Sequence, residues 1–135
     1  MRVLSVKHRE SWKSDYRLLL AKAVKDTGGK RFLSKNPPNT GRIRFLLETF
    51  PDAKFIHIHR NPEEVFLSTR NFFRKMMPHL QLQTIDKNAL DEDIFEIYTR
   101  LMHDYLDQRS EIPEGQLAEV SFADLEDRPL EMVEG

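Results

Sequence analysis

The sequence contains no cysteine, which excludes disulfides, thiolate metal sites and thiol nucleophiles. It also lacks any long apolar run. The opening "MRVLSVKHRESWK" is too polar for a signal peptide, and no later stretch is apolar enough to span a bilayer. A cytoplasmic protein is the expectation. Glycine is scarce: Gly28, Gly29, Gly41, Gly115 and Gly135 are the five, and none sits in a "GxxxxGK(S/T)"-like phosphate loop. There is no "HExxH", no internal repeat and no low-complexity tract. The basic residues form neither a continuous patch nor an aromatic-interleaved run, so nucleic acid is not an expected partner.

What is present fits one globular domain: 135 residues, 39% of them hydrophobic, are enough to bury a core. The net charge of −1 conceals an asymmetry. Residues 1–85 carry 17 Lys and Arg against 7 Asp and Glu, whereas residues 86–135 carry 4 against 15. An anionic ligand therefore belongs with the first part of the chain. The plainer reading is two solvated faces that partly pair with each other.

Periodicity places the elements. "SDYRLLLAKAVK" puts Leu19, Leu20, Ala23 and Val24 on one helical face, with Ser14 as a candidate cap and "DTGG" as the stop. "KRFLSK" reads as a strand ending at Lys35, and "NPPNTG" as a loop. "RIRFLLETF" is a short helix with Ile43, Leu46, Leu47 and Phe50 inward. "AKFIHIH" is a second strand, followed by a helix from Pro62 to Met77 with Val65, Thr69, Phe72 and Met76 on one face. A long helix covers Asp91 to Arg109, with one apolar row at Ile94, Tyr98, Leu101 and Tyr105 and another at Phe95, Met102 and Leu106. "LAEVSF" is a third strand, and "ADLEDRPLEMVEG" begins a last helix. This order implies an α/β fold with a parallel sheet covered by helices. Ligands of such sheets sit beyond the carboxyl ends of the strands, where Lys35 and Arg60 are expected side by side.

The corner "RNPEEV" has the grammar of a helix start. Asn61 suits the N-cap and Pro62 the first helical position, and Glu64 can return a hydrogen bond to the cap. Free N–H groups at the helix start, together with Arg60, make a receptor for phosphate or sulfate, and the Ser68 hydroxyl lies close enough in sequence to reach its rim. Against this stands a surface pair of Arg60 with Glu63 or Glu64. His57 and His59, two apart on a strand, point to one face and could share a divalent ion, as in a metal-dependent hydrolase. No third ligand has matching spacing, because His8, His79 and His103 are scattered, so the histidines read more simply as half-buried strand residues.

"KNPPNTGRIRFLLETFPDAKFIHIHRNPEEVFLST" resembles the sulfotransferases that use 3′-phosphoadenosine 5′-phosphosulfate (PAPS), above all their bacterial members. "EVSFADLEDRPLE" is similar to a later "R-(Y/F)-E-D-L…P" segment of the same family, so the likeness covers residues 30–135. The resemblance implies a partial three-layer sandwich with a parallel sheet, similar to the P-loop nucleotide kinases. It implies that Arg60 and Ser68 bind the 3′-phosphate of PAPS and that Lys35 lies by the transferred sulfuryl group, with no metal required. The family's glycine-rich loop for the 5′-phosphosulfate has no counterpart here, so residues 1–135 are expected to form one incomplete domain. Where cytosolic relatives place a histidine two residues after the loop lysine, this chain has Pro37, and no general base is assigned.

The expected activity is sulfuryl transfer to a hydroxyl or amine of a small-molecule, lipid or carbohydrate acceptor. The alternative is a non-catalytic relative that binds a nucleotide or a partner. Met76, Met77 and Leu80 could line a lipid-like acceptor pocket, although a core role is the simpler expectation for them.

Overall fold

The computed structural model describes residues 5–82 and 86–134. Helix α1 (Val6–Thr27) comes first, followed by a 3-10 turn at Pro37–Gly41 and the short helix α2 (Ile43–Thr49). Strand β1 (Phe55–His59) leads into α3 (Pro62–Leu80) and α4 (Lys87–Gln108), which together form the crossover to β2 (Leu117–Ser121). Helices α5 (Phe122–Asp127) and α6 (Pro129–Glu134) follow.

Helix α1 starts nine residues earlier than its apolar periodicity suggests. Ser5, rather than Ser14, caps it, with Oγ accepting the His8 N–H at 3.3 Å. The added turns carry Trp12, whose ring meets Phe45 edge-on at 4.8 Å, and Tyr16 packs against Phe50 at 5.9 Å. Gly28 ends the helix in the left-handed region, φ 63°, where a side chain would be strained. Arg17 donates to the Thr49 carbonyl, and Arg9 and Lys13 both pair with Glu48, which fixes α1 to α2.

The core lies where α2, α4 and one sheet face meet. Ile43 and Tyr105 are 2% and 3% exposed, and Ile112 completes the cluster with Leu47, Phe55, Met102 and Leu117 around it. Helix α2 has no side-chain cap of its own. The buried Gln108 of α4 supplies one, its Oε1 accepting the Arg44 N–H at 2.9 Å. Gly41 lets the 3-10 turn approach α4 closely, since a Cβ there would lie 2.7 Å from Leu101 Cδ2. Only one apolar row of α4 is fully used: Ile94 and Tyr105 are buried, whereas Phe95 and Leu106 of the other row are exposed.

Strands β1 and β2 pair in parallel, with Phe55 opposite Leu117, His57 opposite Glu119 and His59 opposite Ser121. The parallel pairing follows from the α3–α4 crossover, as the α/β reading requires. The first expected strand, residues 30–35, is not formed. Its apolar centre finds nothing to bury against, with Phe32 and Leu33 being 47% and 86% exposed, and the sheet has two strands among the described residues. Lys35 therefore does not end a strand. On the sheet face away from Tyr105, Ile56 and Ile58 are exposed, so no third layer covers them among the described residues.

Helix α3 runs three residues past Met77, through Pro78, which costs that turn one backbone hydrogen bond. Val65 and Thr69 are half-buried, but Phe72, Met76 and Leu80 are exposed rather than core. Residues 83–85, between α3 and α4, lie outside the described residues. Pairs between the basic and acidic parts of the chain do form: Arg44 with Glu111, and Arg70 and Arg74 with Asp91.

Candidate functional site

The carboxyl end of β1 delivers Arg60 directly to the start of α3. Asn61 caps that helix as its sequence predicts, its side-chain oxygen accepting the Glu63 N–H at 2.9 Å, and Pro62 takes the first position. Glu64 does not complete a capping box; it holds Arg60 instead, Nε to Oε2 at 2.8 Å. Of the two readings of the corner, the surface pair of Arg60 with Glu64 is formed. The guanidinium has a surface carboxylate on Nε, while its two terminal nitrogens make no hydrogen bond among the described residues. Its Cζ lies 4.6 Å from the centre of the Phe122 ring. Ser68 is exposed in the second turn of α3, with its hydroxyl likewise unpartnered among the described residues.

Lys35 stands elsewhere in the chain path. It is exposed in the irregular stretch between α1 and the Pro37–Gly41 turn. The side chains around it form a short polar chain, Asn39 donating to Ser34 Oγ and Arg42 Nε donating to Asn39. No hydrogen bond or ion pair joins Lys35 to Arg60 or Ser68 among the described residues. Arg60 and Ser68 both belong to the β1–α3 segment, and Lys35 to the stretch before the 3-10 turn.

The two histidines have separate environments. His57 is half-buried and stacks on Tyr105, with centroids 3.9 Å apart and planes at 21°. Burial pushes its pKa below the ordinary imidazole value, an effect opposed by Glu119 and reinforced by His59 and Arg109. The Tyr105 hydroxyl donates to Glu119 at 2.6 Å, and Arg109 reaches the same carboxylate oxygen at 3.2 Å. Burial and then this contact raise the Tyr105 pKa, and the phenol holds the Glu119 carboxyl below its usual range. His59 is exposed. Among the described residues no group of His, Asp and Glu is arranged to hold a metal ion. The Tyr105–Glu119 pair is not visible in the sequence. Its one trace there is Tyr105 in the buried row of α4.

A sequence model of the sulfotransferase family matches residues 6–135. The chain belongs to that family. Among curated proteins, this sulfotransferase-family chain is 33% identical over 96 residues to the omega-hydroxy-beta-dihydromenaquinone-9 sulfotransferase Stf3 of Mycobacterium bovis and, at the same identity, to that of Mycobacterium tuberculosis. The match covers 71% of this chain and 25% of each relative, so the chain spans a quarter of the relatives' length. No solved structure matches it. No helix among the described residues is long and apolar enough to cross a membrane.

Proposed function

We propose that this sulfotransferase-family chain takes part in sulfuryl transfer from PAPS to a hydroxyl or amine acceptor, with Arg60 and Ser68 holding the 3′-phosphate of the donor. The observation that carries this reading is the Arg60 corner. An arginine whose terminal nitrogens make no hydrogen bond among the described residues stands at a strand's carboxyl end, before an Asn-capped helix whose second turn carries an exposed serine. These groups suit a dianionic phosphate: the guanidinium binds two oxygens at once, and the serine hydroxyl adds a further donor. PAPS supplies the activated sulfuryl group; the S–O bond to the bridging phosphate oxygen breaks as one to the acceptor forms, and the acceptor proton leaves to a base.

Lys35 is the residue we assign to the charge that develops on the bridging oxygen. Its ammonium has no ion-pair partner among the described residues and is free for that task. We place the acceptor in the lipid-like class, because the two matched relatives are named for a hydroxylated menaquinone. Transfer of sulfur-35 from labelled PAPS to a hydroxylated prenyl quinone tests the reading. Binding of adenosine 3′,5′-bisphosphate without any transfer would favour the binding-only relative, a reading supported by the absent loop and by the lack of a strand leading to Lys35.

A further inference from the structure

Phe122 sits beneath Arg60 because of strand register. His59 pairs with Ser121 across the parallel ladder, so the residues that follow, Arg60 and Phe122, leave the sheet side by side. Ser121 then caps α5, its Oγ accepting the Asp124 N–H at 3.5 Å, which makes Phe122 the first residue of that helix. The ring is half-buried, whereas the Arg60 side chain above it is 39% exposed. It is therefore a floor for the guanidinium, not a lid.

A guanidinium lying on an aromatic ring gains electrostatic attraction and keeps its in-plane N–H donors pointing away from the ring. Here Glu64 takes Nε, and the terminal nitrogens make no hydrogen bond among the described residues. We propose that Phe122 is a positioning residue for anion binding, its ring holding Arg60 flat at the end of β1 so that its terminal N–H fork is formed before the ligand arrives. This rests on the assignment of Arg60 to the donor's 3′-phosphate. The gain is entropic: an arginine already confined to one plane loses less rotamer freedom on binding.

Calorimetry of the full chain with adenosine 3′,5′-bisphosphate tests this. Phe122→Leu keeps apolar volume but removes the π face, and is expected to weaken binding about two- to fivefold, the range of an exposed cation–π contact. Phe122→Tyr should restore it. In the Arg60→Ala background Phe122→Leu should cost nothing more. Ring current should shift the Arg60 Nε–H resonance upfield in the parent chain and not in Phe122→Leu, a signature that ordinary loss of packing elsewhere would not give. If Arg60→Ala weakens binding and Phe122→Leu does not, the positioning role is overturned while the phosphate site stands. An equal Phe122→Leu loss with and without Arg60 also overturns it, because the ring would then act on the ligand directly. Unchanged binding in Arg60→Ala removes both the site and the role.

Discussion

The Arg60 corner and the Lys35 segment carry the two cations that matter most to the proposed chemistry, yet they are held in opposite ways. Arg60 is placed by a strand behind it, a capped helix ahead of it, an aromatic ring beneath it and a carboxylate beside it. Lys35 has an exposed apolar stretch before it and a 3-10 turn after it. A residue bounded on every side can bind without first being ordered; one that is not must be ordered when its ligand arrives. Binding and transfer need not be built to the same degree in this chain.

The sharpest way to separate the two regions is Lys35→Ala. It should lower the sulfur-35 transfer rate by about 10²–10³, typical for loss of one group that stabilises developing charge. Affinity for adenosine 3′,5′-bisphosphate, which has no sulfuryl group, should be unchanged; a parallel fall in affinity would mean that both cations grip the same phosphate. Arg60→Ala should do the reverse, weakening bisphosphate binding by about 1.5–3 kcal/mol, as for a hydrogen bond to a charged group. Equal affinities by calorimetry would erase the distinction between the corners.

Gly41→Ala probes what anchors the Lys35 side. Leu101 would have to move from a new Cβ placed 2.7 Å away, and overpacking of this kind costs about 1–3 kcal/mol in urea unfolding. An unchanged midpoint would show that the 3-10 turn rests only loosely on α4.

The smallest effect concerns pH. His57 is held below its ordinary value of 6.5 chiefly by burial, so the unfolded chain binds its proton more readily. Stability should therefore fall as pH drops through 6.5, and His57→Gln should flatten that slope in urea midpoints taken between pH 7.5 and 5.5. Glu119, held below its usual 4.5 first by the Tyr105 phenol, contributes above that value and loses its contribution only at lower pH, outside this window.

What can be read from the sequence divides along the same line. Asn61 and Pro62 encode their helix start locally, so the corner is legible from its own six residues. The strands at "KFIHIH" and "LAEVSF" are legible too, because each has a partner in the other. "KRFLSK" has an apolar centre too but no neighbour to pair with, and a strand is a property of two segments rather than one. Ser5 does not stand out as a cap because the helix it starts begins with polar turns whose anchor, Trp12, is a single residue. The His57–Tyr105–Glu119 contacts join three distant parts of the chain, and nothing in local spacing announces them.

The alternation of Ile56 and Ile58 with His57 and His59 has a consequence for frame. By hydrophobicity alone, the isoleucines belong against Tyr105 and His57 in water, the reverse of what is found. Deleting one residue within β1 would turn the strand over and satisfy that preference, at the expense of aiming Arg60 away from the rim. The strand is thus kept in phase by Phe55 at its start and by the junction it feeds, and not by its two isoleucines.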